Sequence, residues 1–325
     1  MQVLQKRSRS MNERKTFAVV VTYNREKYLR NLYERLLEID ELDGIFILNN
    51  NGNDNTDIIF ENANLIENKV CKICRNRKDI YYYRNDCNLG GAGGFRKAFE
   101  LVCGYEWDYL WIMDDDVFPE KDCLSKLLKN VEDRFKVCIP NRTDEGFEDF
   151  ACIKYDLSNP FKFRMKNRVK VISCNDVKKE TIEVFTMPFE GPLIAREVIQ
   201  KVGLPDDKYF IIYDDSDYCR RCLKYTRARM VMDAKLHKQI IPIASNEVNW
   251  KNYYAYRNCF AFDHKYCTNK LAREVRPWLI AHSLMIKTYI TKDILRFKVL
   301  RKAYQDYKAG VMGKVITIEN FKEMF

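Results

Sequence analysis

Four short apolar runs, separated by stretches of helical period, constrain this chain more than any other feature. Thr16 to Thr22 (TFAVVVT) is a β-branched run of the kind that forms a buried parallel strand. It ends at Tyr23-Asn24, after which Leu29, Leu32, Leu36 and Ile39 recur at helical spacing. Gly44 to Leu48 reads as a second strand running into an asparagine-rich turn, Asn49 to Asn55, with another helical stretch after it. Asp79 to Tyr83 reads as a third strand and Tyr109 to Met113 as a fourth. Between them a glycine turn, Leu89 to Phe95, opens a helix through Val102. Alternation of this kind predicts an α/β fold with a doubly wound sheet, parallel at its heart. Such sheets bind ligands at the carboxyl ends of their strands. The polar clusters fall there: Thr22 to Arg25, Asn49 to Asn51, and Asp114-Asp115-Asp116.

The chain has 325 residues, enough for a sizeable core, and no stretch approaches the roughly 18 continuous apolar residues of a membrane span. Its first fifteen residues are basic and lack the apolar region of a secretory signal, which places the protein on the cytoplasmic side. Lysine plus arginine is 56 against 46 acidic residues, a formal charge of +10. That balance favours an anionic partner: a phosphorylated small molecule, nucleic acid or an acidic bilayer. No zinc finger, helix-turn-helix or RNP signature supports nucleic acid. Twelve cysteines without a secretory signal argue for reduced thiols. The pairs Cys71/Cys74 and Cys219/Cys222 could in principle form a four-thiolate zinc site, although the second pair falls in a helical stretch.

Three clusters can carry chemistry. Asp114 to Asp116 crowd the exit of a strand, where like charges repel and a divalent cation with oxygen ligands resolves the conflict. Asp114 and Asp116 share a face and are the better ligands; the plainer alternative is helix capping before Asp122 to Val131. Gly90, Gly91, Gly93 and Gly94 permit close backbone approach to a ligand but match neither the P-loop nor the dinucleotide fingerprint. Asp214-Asp215-Ser216-Asp217 is a second acidic knot, readable as a general base with neighbours or as the cap of the helix at Ser216 to Lys224. Beyond Asn246 the chain is mostly helical and basic. Its stretch from Lys287 to Lys302 suits a bundle helix, a nucleic-acid patch or a helix lying on an anionic membrane, the membrane fitting best.

Together these residues resemble the inverting family-2 glycosyltransferases of GT-A fold. The resemblance rests on VVVTYNR (Val19 to Arg25), ILNNNGNDNT (Ile47 to Thr56), RNDCNLGGAGGF (Arg84 to Phe95), WIMDDDV (Trp111 to Val117), YDDSDY (Tyr213 to Tyr218), His237 and YYAYRN (Tyr253 to Asn258). The combination is most like the bacterial galactofuranosyltransferases, with rhamnosyltransferases similar. It implies a basic tail over 1–15, a GT-A catalytic domain over 16–245 and a basic helical region over 246–325. Thr22, Arg25 and Asn49 would bind the nucleotide, although many relatives carry aspartate where this chain has Asn49. Gly90, Gly91, Gly93, Gly94 and Asp115 would border donor sugar and diphosphate. Asp114, Asp116 and His237 would bind manganese or magnesium; without the resemblance an isolated His237 is better read as structural. Asp215 would be the base, and Asp214 and Asp217 would position the acceptor. The implied reaction moves a sugar, best matched by galactofuranose from UDP-galactofuranose, with dTDP-rhamnose as the alternative. The acceptor would be a glycan or polyprenyl-diphosphate-linked glycan at the inner face of the cell membrane, in surface polysaccharide synthesis. A nucleotidyltransferase is the rival enzyme, but TYNREKYLRN lacks its glycine- and basic-rich signature.

Overall fold

A computed structural model describes residues 14–241 and 246–325, so most of the expected basic tail lies outside the described residues. The chain begins with β1 (Thr16–Thr22), α1 (Glu26–Leu37) and β2 (Gly44–Asn49). A 3-10 turn at Asn55–Phe60 stands where a helix was expected, capped by the Asp54 side chain on Thr56 N. It is followed by β3 (Asn64–Leu65), β4 (Cys71–Arg75), β5 (Lys78–Arg84) and α2 (Gly90–Val102). Next come β6 (Tyr109–Asp114), β7 (Val117–Pro119), α3 (Cys123–Lys129) and β8 (Phe135–Asn141). The blurred middle of the sequence holds β9 (Phe150–Tyr155), α4 (Met165–Arg168), β10 (Val169–Ser173) and β11 (Thr181–Val184), with β9 and β10 forming a separate antiparallel hairpin. Then follow β12 (Leu193–Ala195), α5 (Arg196–Val202), α6 (Asp214–Cys222) and β13 (Arg227–Lys238). Helices α7 (Trp250–Tyr266), α8 (Lys270–Ile290), α9 (Ile294–Lys308) and α10 (Ile318–Met324) complete the chain.

In the main sheet the parallel strands lie in the order β5-β2-β1-β6. The chain winds outward from β1 through β2 to β5, then crosses back to lay β6 on the other side of β1. That reversal makes the β1/β6 boundary a topological switch point, where a crevice opens beyond the carboxyl ends. The register pairs Val21 with Asp114 and Thr22 with Asn49, so the polar clusters come out level. Every residue of β1 and β2 is buried, as a strand covered on both faces requires. The short β12 then pairs antiparallel with both β6 and β8, which makes the sheet mixed.

Two apolar cores result. One packs α1, α2 and α3 on the sheet; the other gathers Tyr253, Tyr254, Phe260, Ile280, Val299 and Leu300 from the C-terminal helices with Ile316, which precedes α10, and Phe210. They are joined by ions as well as by Phe210. Asp263 of α7, fully buried, accepts from Arg168 (2.5 Å) beside β10 and from Arg276 (3.1 Å) of α8. Removing the carboxylate alone strands two buried guanidinium groups, so Asp263→Ala is expected to cost about 3–5 kcal/mol. Urea denaturation of the variant against the parent checks this; a loss below about 1 kcal/mol would show the triad to be solvated.

Candidate active site

The switch point opens into a cleft of about 430 Å³. Thr22 at the end of β1 with Tyr23 and Arg25 after it, Asn50 after β2, Gly90 and Gly91 of α2, and Asp114 at the end of β6 with Asp115 after it line one side. Phe210 to Ile212, Trp250, Lys251, Lys314 and Ile316 to Glu319 line the other. The helical region therefore supplies a wall of the cleft, including two ammonium groups.

The acidic triplet does not cap a helix, because β7 follows it directly and α3 starts only at Cys123. Arg25 Nη1 lies 3.0 Å from Asp115 and 2.8 Å from Asp116, both nearly fully buried. Burial pushes Asp115 up to about 6, with Arg25 and the Thr22 hydroxyl opposing. Asp114 faces the cleft with no ion pair within 4 Å among the described residues. Burial, then Glu190, Asp116, Asp115 and Asp214, drives its carboxyl well above the ordinary range. Asp214 acts on Asp114 and Glu190 acts on both Asp114 and Asp215, so the two acidic knots lie within electrostatic reach of one another. Burial holds Asp214 and Asp215 above the ordinary carboxylate range.

The structure places several of the expected residues away from the cleft lining. Asn49 is fully buried: its amide donates to Tyr82 Oη (2.9 Å) and its oxygen accepts from Gly52 N (2.7 Å), so it shapes the turn. Its neighbour Asn50 lines the cleft instead, donating to Gly90 O at 2.9 Å. Gly94 packs on β1, where an added Cβ would lie 2.8 Å from Val21, and Gly93 lines a neighbouring groove. Gly90 and Gly91 do border the cleft, and all four glycines sit inside α2 instead of a turn before it. Asp217 has no exposure and is saturated by Arg221 (2.9 Å), Lys265 (2.7 Å), Tyr266 and Tyr209, which leaves nothing for an acceptor. His237, paired opposite Phe118, turns its ring nitrogens to Glu120 (3.4 Å) and Asp144 (3.3 Å). Among the described residues no three His, Cys, Asp or Glu side chains form a metal-holding group, so His237 is not gathered with Asp114 and Asp116. The donor chemistry of Asp114 and Asp116, hard oxygens in a crowd of like charge, still fits a divalent cation.

Two features escape a reading of the sequence. Glu190, alone between apolar runs, is held by Arg142 and Lys238 (2.8 Å); burial raises its carboxyl, and the two cations outweigh that and hold it low. The second is the loop before α6. Phe210, Ile212 and Tyr213 all take positive φ (67°, 62° and 77°), a costly conformation for a β-branched residue. Asn258 of α7 holds it: its side-chain nitrogen lies 3.0, 2.7 and 2.8 Å from the carbonyls of Tyr209, Ile211 and Ile212. Arg257 Nε donates to the Asn258 oxygen at 3.0 Å, which fixes which end of the amide faces the loop. The Phe210 carbonyl then accepts from Ala92 N at 2.9 Å, tying the loop to the first turn of α2.

A family model described as "Glycosyl transferase family 2" matches residues 17–184. The chain is 25% identical over 300 residues to a dTDP-rhamnosyl transferase, RfbF, of Shigella flexneri, covering 86% of this chain and 93% of that protein. It is 21% identical over 137 residues to the galactofuranosyltransferase GlfT1 of Mycolicibacterium smegmatis, 42% of this chain and 45% of that one. Among solved structures it resembles S. aureus TarS 1-349 in complex with UDP-GlcNAc (TM-score 0.52, 13% identity, 90% and 81% of the two chains). It equally resembles the Pyrobaculum calidifontis mannosyltransferase PcManGT in complex with GDP-Man and Mn2+ (0.52, 12%, 96% and 85%). The shared arrangement is the GT-A fold, here with a helical C-terminal region. Because Asn258 positions the loop leading into Asp214 and Asp215, Asn258→Ala is expected to lower kcat about 10²-fold with the KM for donor changed little. Steady-state kinetics checks this split; loss of donor affinity with kcat intact would contradict it.

Proposed function

The chain belongs to glycosyl transferase family 2, and we propose that it moves a hexosyl unit, with inversion, from a nucleotide sugar to a lipid-borne glycan in surface polysaccharide synthesis. The observation that carries this reading is that the two acidic knots feel one another. Burial and then Glu190 and Asp214 raise Asp114, which lines the cleft, and Glu190 adds to the burial that raises Asp215. The loop from Phe210 to Ile212 that leads into Asp214 forms the facing wall. The nucleotide lies against Thr22, Tyr23, Arg25 and Asn50, and the diphosphate meets Gly90, Gly91 and the ammonium groups of Lys251 and Lys314. Asp114 and Asp116 would hold a manganese or magnesium ion, which as a Lewis acid stabilises the departing diphosphate.

Asp215, at the first turn of α6, takes the acceptor's hydroxyl proton as that oxygen attacks the anomeric carbon. Attack from the face opposite the diphosphate inverts the centre in one displacement, so no protein nucleophile is needed. Asp214, with Asp215 beside it, orients the acceptor. Glu190, held ionised by Arg142 and Lys238, contributes negative charge that, after burial, raises Asp215, with Arg142 opposing. For the sugar, similarity along nearly all of a dTDP-rhamnosyl transferase favours dTDP-rhamnose. The glycine and acidic motifs, with the shorter match to a galactofuranosyltransferase, favour UDP-galactofuranose as a second reading. A turnover screen with both donors and manganese decides between them, and turnover of neither would refute both.

Asp215→Asn is expected to bind donor normally while turnover falls about 10²- to 10⁴-fold; intact turnover would remove Asp215 as base. Asp114→Ala is expected to abolish the difference between donor affinities with manganese and with EDTA in calorimetry. Activity needs the Asp214/Asp215 pair ionised. Since burial raises both, kcat/KM falls as pH drops through an apparent pKa above the usual carboxylate value near 4. A pH–rate profile flat from pH 7 down to about 4.5 would contradict that assignment.

A further inference from the structure

The stretch from Ile286 to Tyr304, in which apolar residues and cations alternate, is not one helix. Lys292 takes a φ of 57° and Asp293 caps the following helix through Arg296 N, so α8 stops at Ile290 and α9 begins at Ile294. The break sorts the apolar side chains. Val299, Leu300 and Ala303 turn into the second core. Ile286 (61% exposed), Tyr289 (72%), Ile290 (72%), Ile294 (55%) and Leu295 (38%) stand out in solvent around a single corner. Scattered exposed apolar residues need no explanation, whereas five on one corner mark an interaction site.

The charge around that corner is one-sided. Asp293 is the only acidic residue between Val275 and Gln305, and Arg296 binds it at 2.7 Å. Lys287, Lys292 and Arg301 are exposed and have no ion pair among the described residues. The half-exposed Trp278 continues the apolar face of α8 three turns before Tyr289, an amphipathic ring of the kind that favours a bilayer interface.

We propose that the α8–α9 corner docks on an anionic phospholipid surface. Its aliphatic tip enters the headgroup boundary while Lys287, Lys292 and Arg301 lie over acidic headgroups. Charge complementarity selects this occupant: a second copy of the chain would set the same cations against one another. The contact is peripheral, since among the described residues no helix is long and apolar enough to cross a membrane. The inference extends the proposed function, whose acceptor is lipid-borne, yet it is tested without any catalytic readout, so either can fail alone.

The test is cosedimentation of the full chain with phosphatidylcholine vesicles, with and without about 30% phosphatidylglycerol. Binding is expected to the acidic vesicles and to weaken as salt rises. Ile290→Glu/Ile294→Glu should weaken it at least tenfold, and Lys287→Glu/Lys292→Glu by about fivefold or more per position. All four side chains are exposed, and an unchanged melting temperature verifies the fold of each variant. Equal binding to neutral and acidic vesicles, or equal binding by the parent and Ile290→Glu/Ile294→Glu, overturns the proposal. So does a concentration-dependent dimer in light scattering that the same variant disperses, since the corner would then belong to a second copy.

Discussion

A single neutral amide carries the geometry of one wall of the cleft. The Asn258 side chain reaches three carbonyls of a loop in which three residues with side chains sit at positive φ. Such conformations cost about 1–3 kcal/mol each and persist only where surrounding contacts over-determine them. Here those contacts come from a helix of the second core. The loop delivers Asp214 and Asp215 on one side and offers the Phe210 carbonyl to α2 on the other. The glycine-rich helix, the acidic knot and the helical region are thus one mechanical unit, and Gly90 has to be glycine within it. Its φ is +71°, and an added Cβ would stand 2.3 Å from that same carbonyl.

Charge is balanced unevenly around this unit. Asp115 and Asp116 share Arg25, Glu190 takes Arg142 and Lys238, and Asp217 takes Arg221 and Lys265. Each of these carboxylates has a cation of this chain beside it, although Asp115 and Asp116 have only one between them. Asp114 lines the cleft beside Asp115 but has no cation within ion-pair distance among the described residues, and other carboxylates are its main electrostatic neighbours. An arrangement that leaves one buried carboxylate of the triplet without a cation of its own is consistent with the metal proposed for Asp114.

The sheet was legible because fully buried parallel strands leave uninterrupted apolar runs, as at Thr16–Thr22 and Gly44–Leu48. The placement of the acidic triplet followed from the same runs. What stayed hidden depends on contacts between distant residues. Nothing local distinguishes Asn49, which shapes the turn, from Asn50, which lines the cleft. Asp217 looks like its neighbours until Lys265 and Tyr266 arrive from α7. Glu190 draws attention only once Arg142 and Lys238 are beside it. The break at Thr291 to Asp293 is invisible in the apolar period, which runs through it unchanged.

The two walls of the cleft come from opposite ends of the described chain, Val21 to Arg25 on one side and Lys314 to Glu319 on the other. A small molecule wedged between them acts as a rivet joining both cores. Its occupancy would raise the melting of the sheet and of the helical layer together, in proportion to the logarithm of its concentration over Kd. Heat resistance conferred by a nucleotide on the whole chain would then register closure of the architecture, not local protection of a loop.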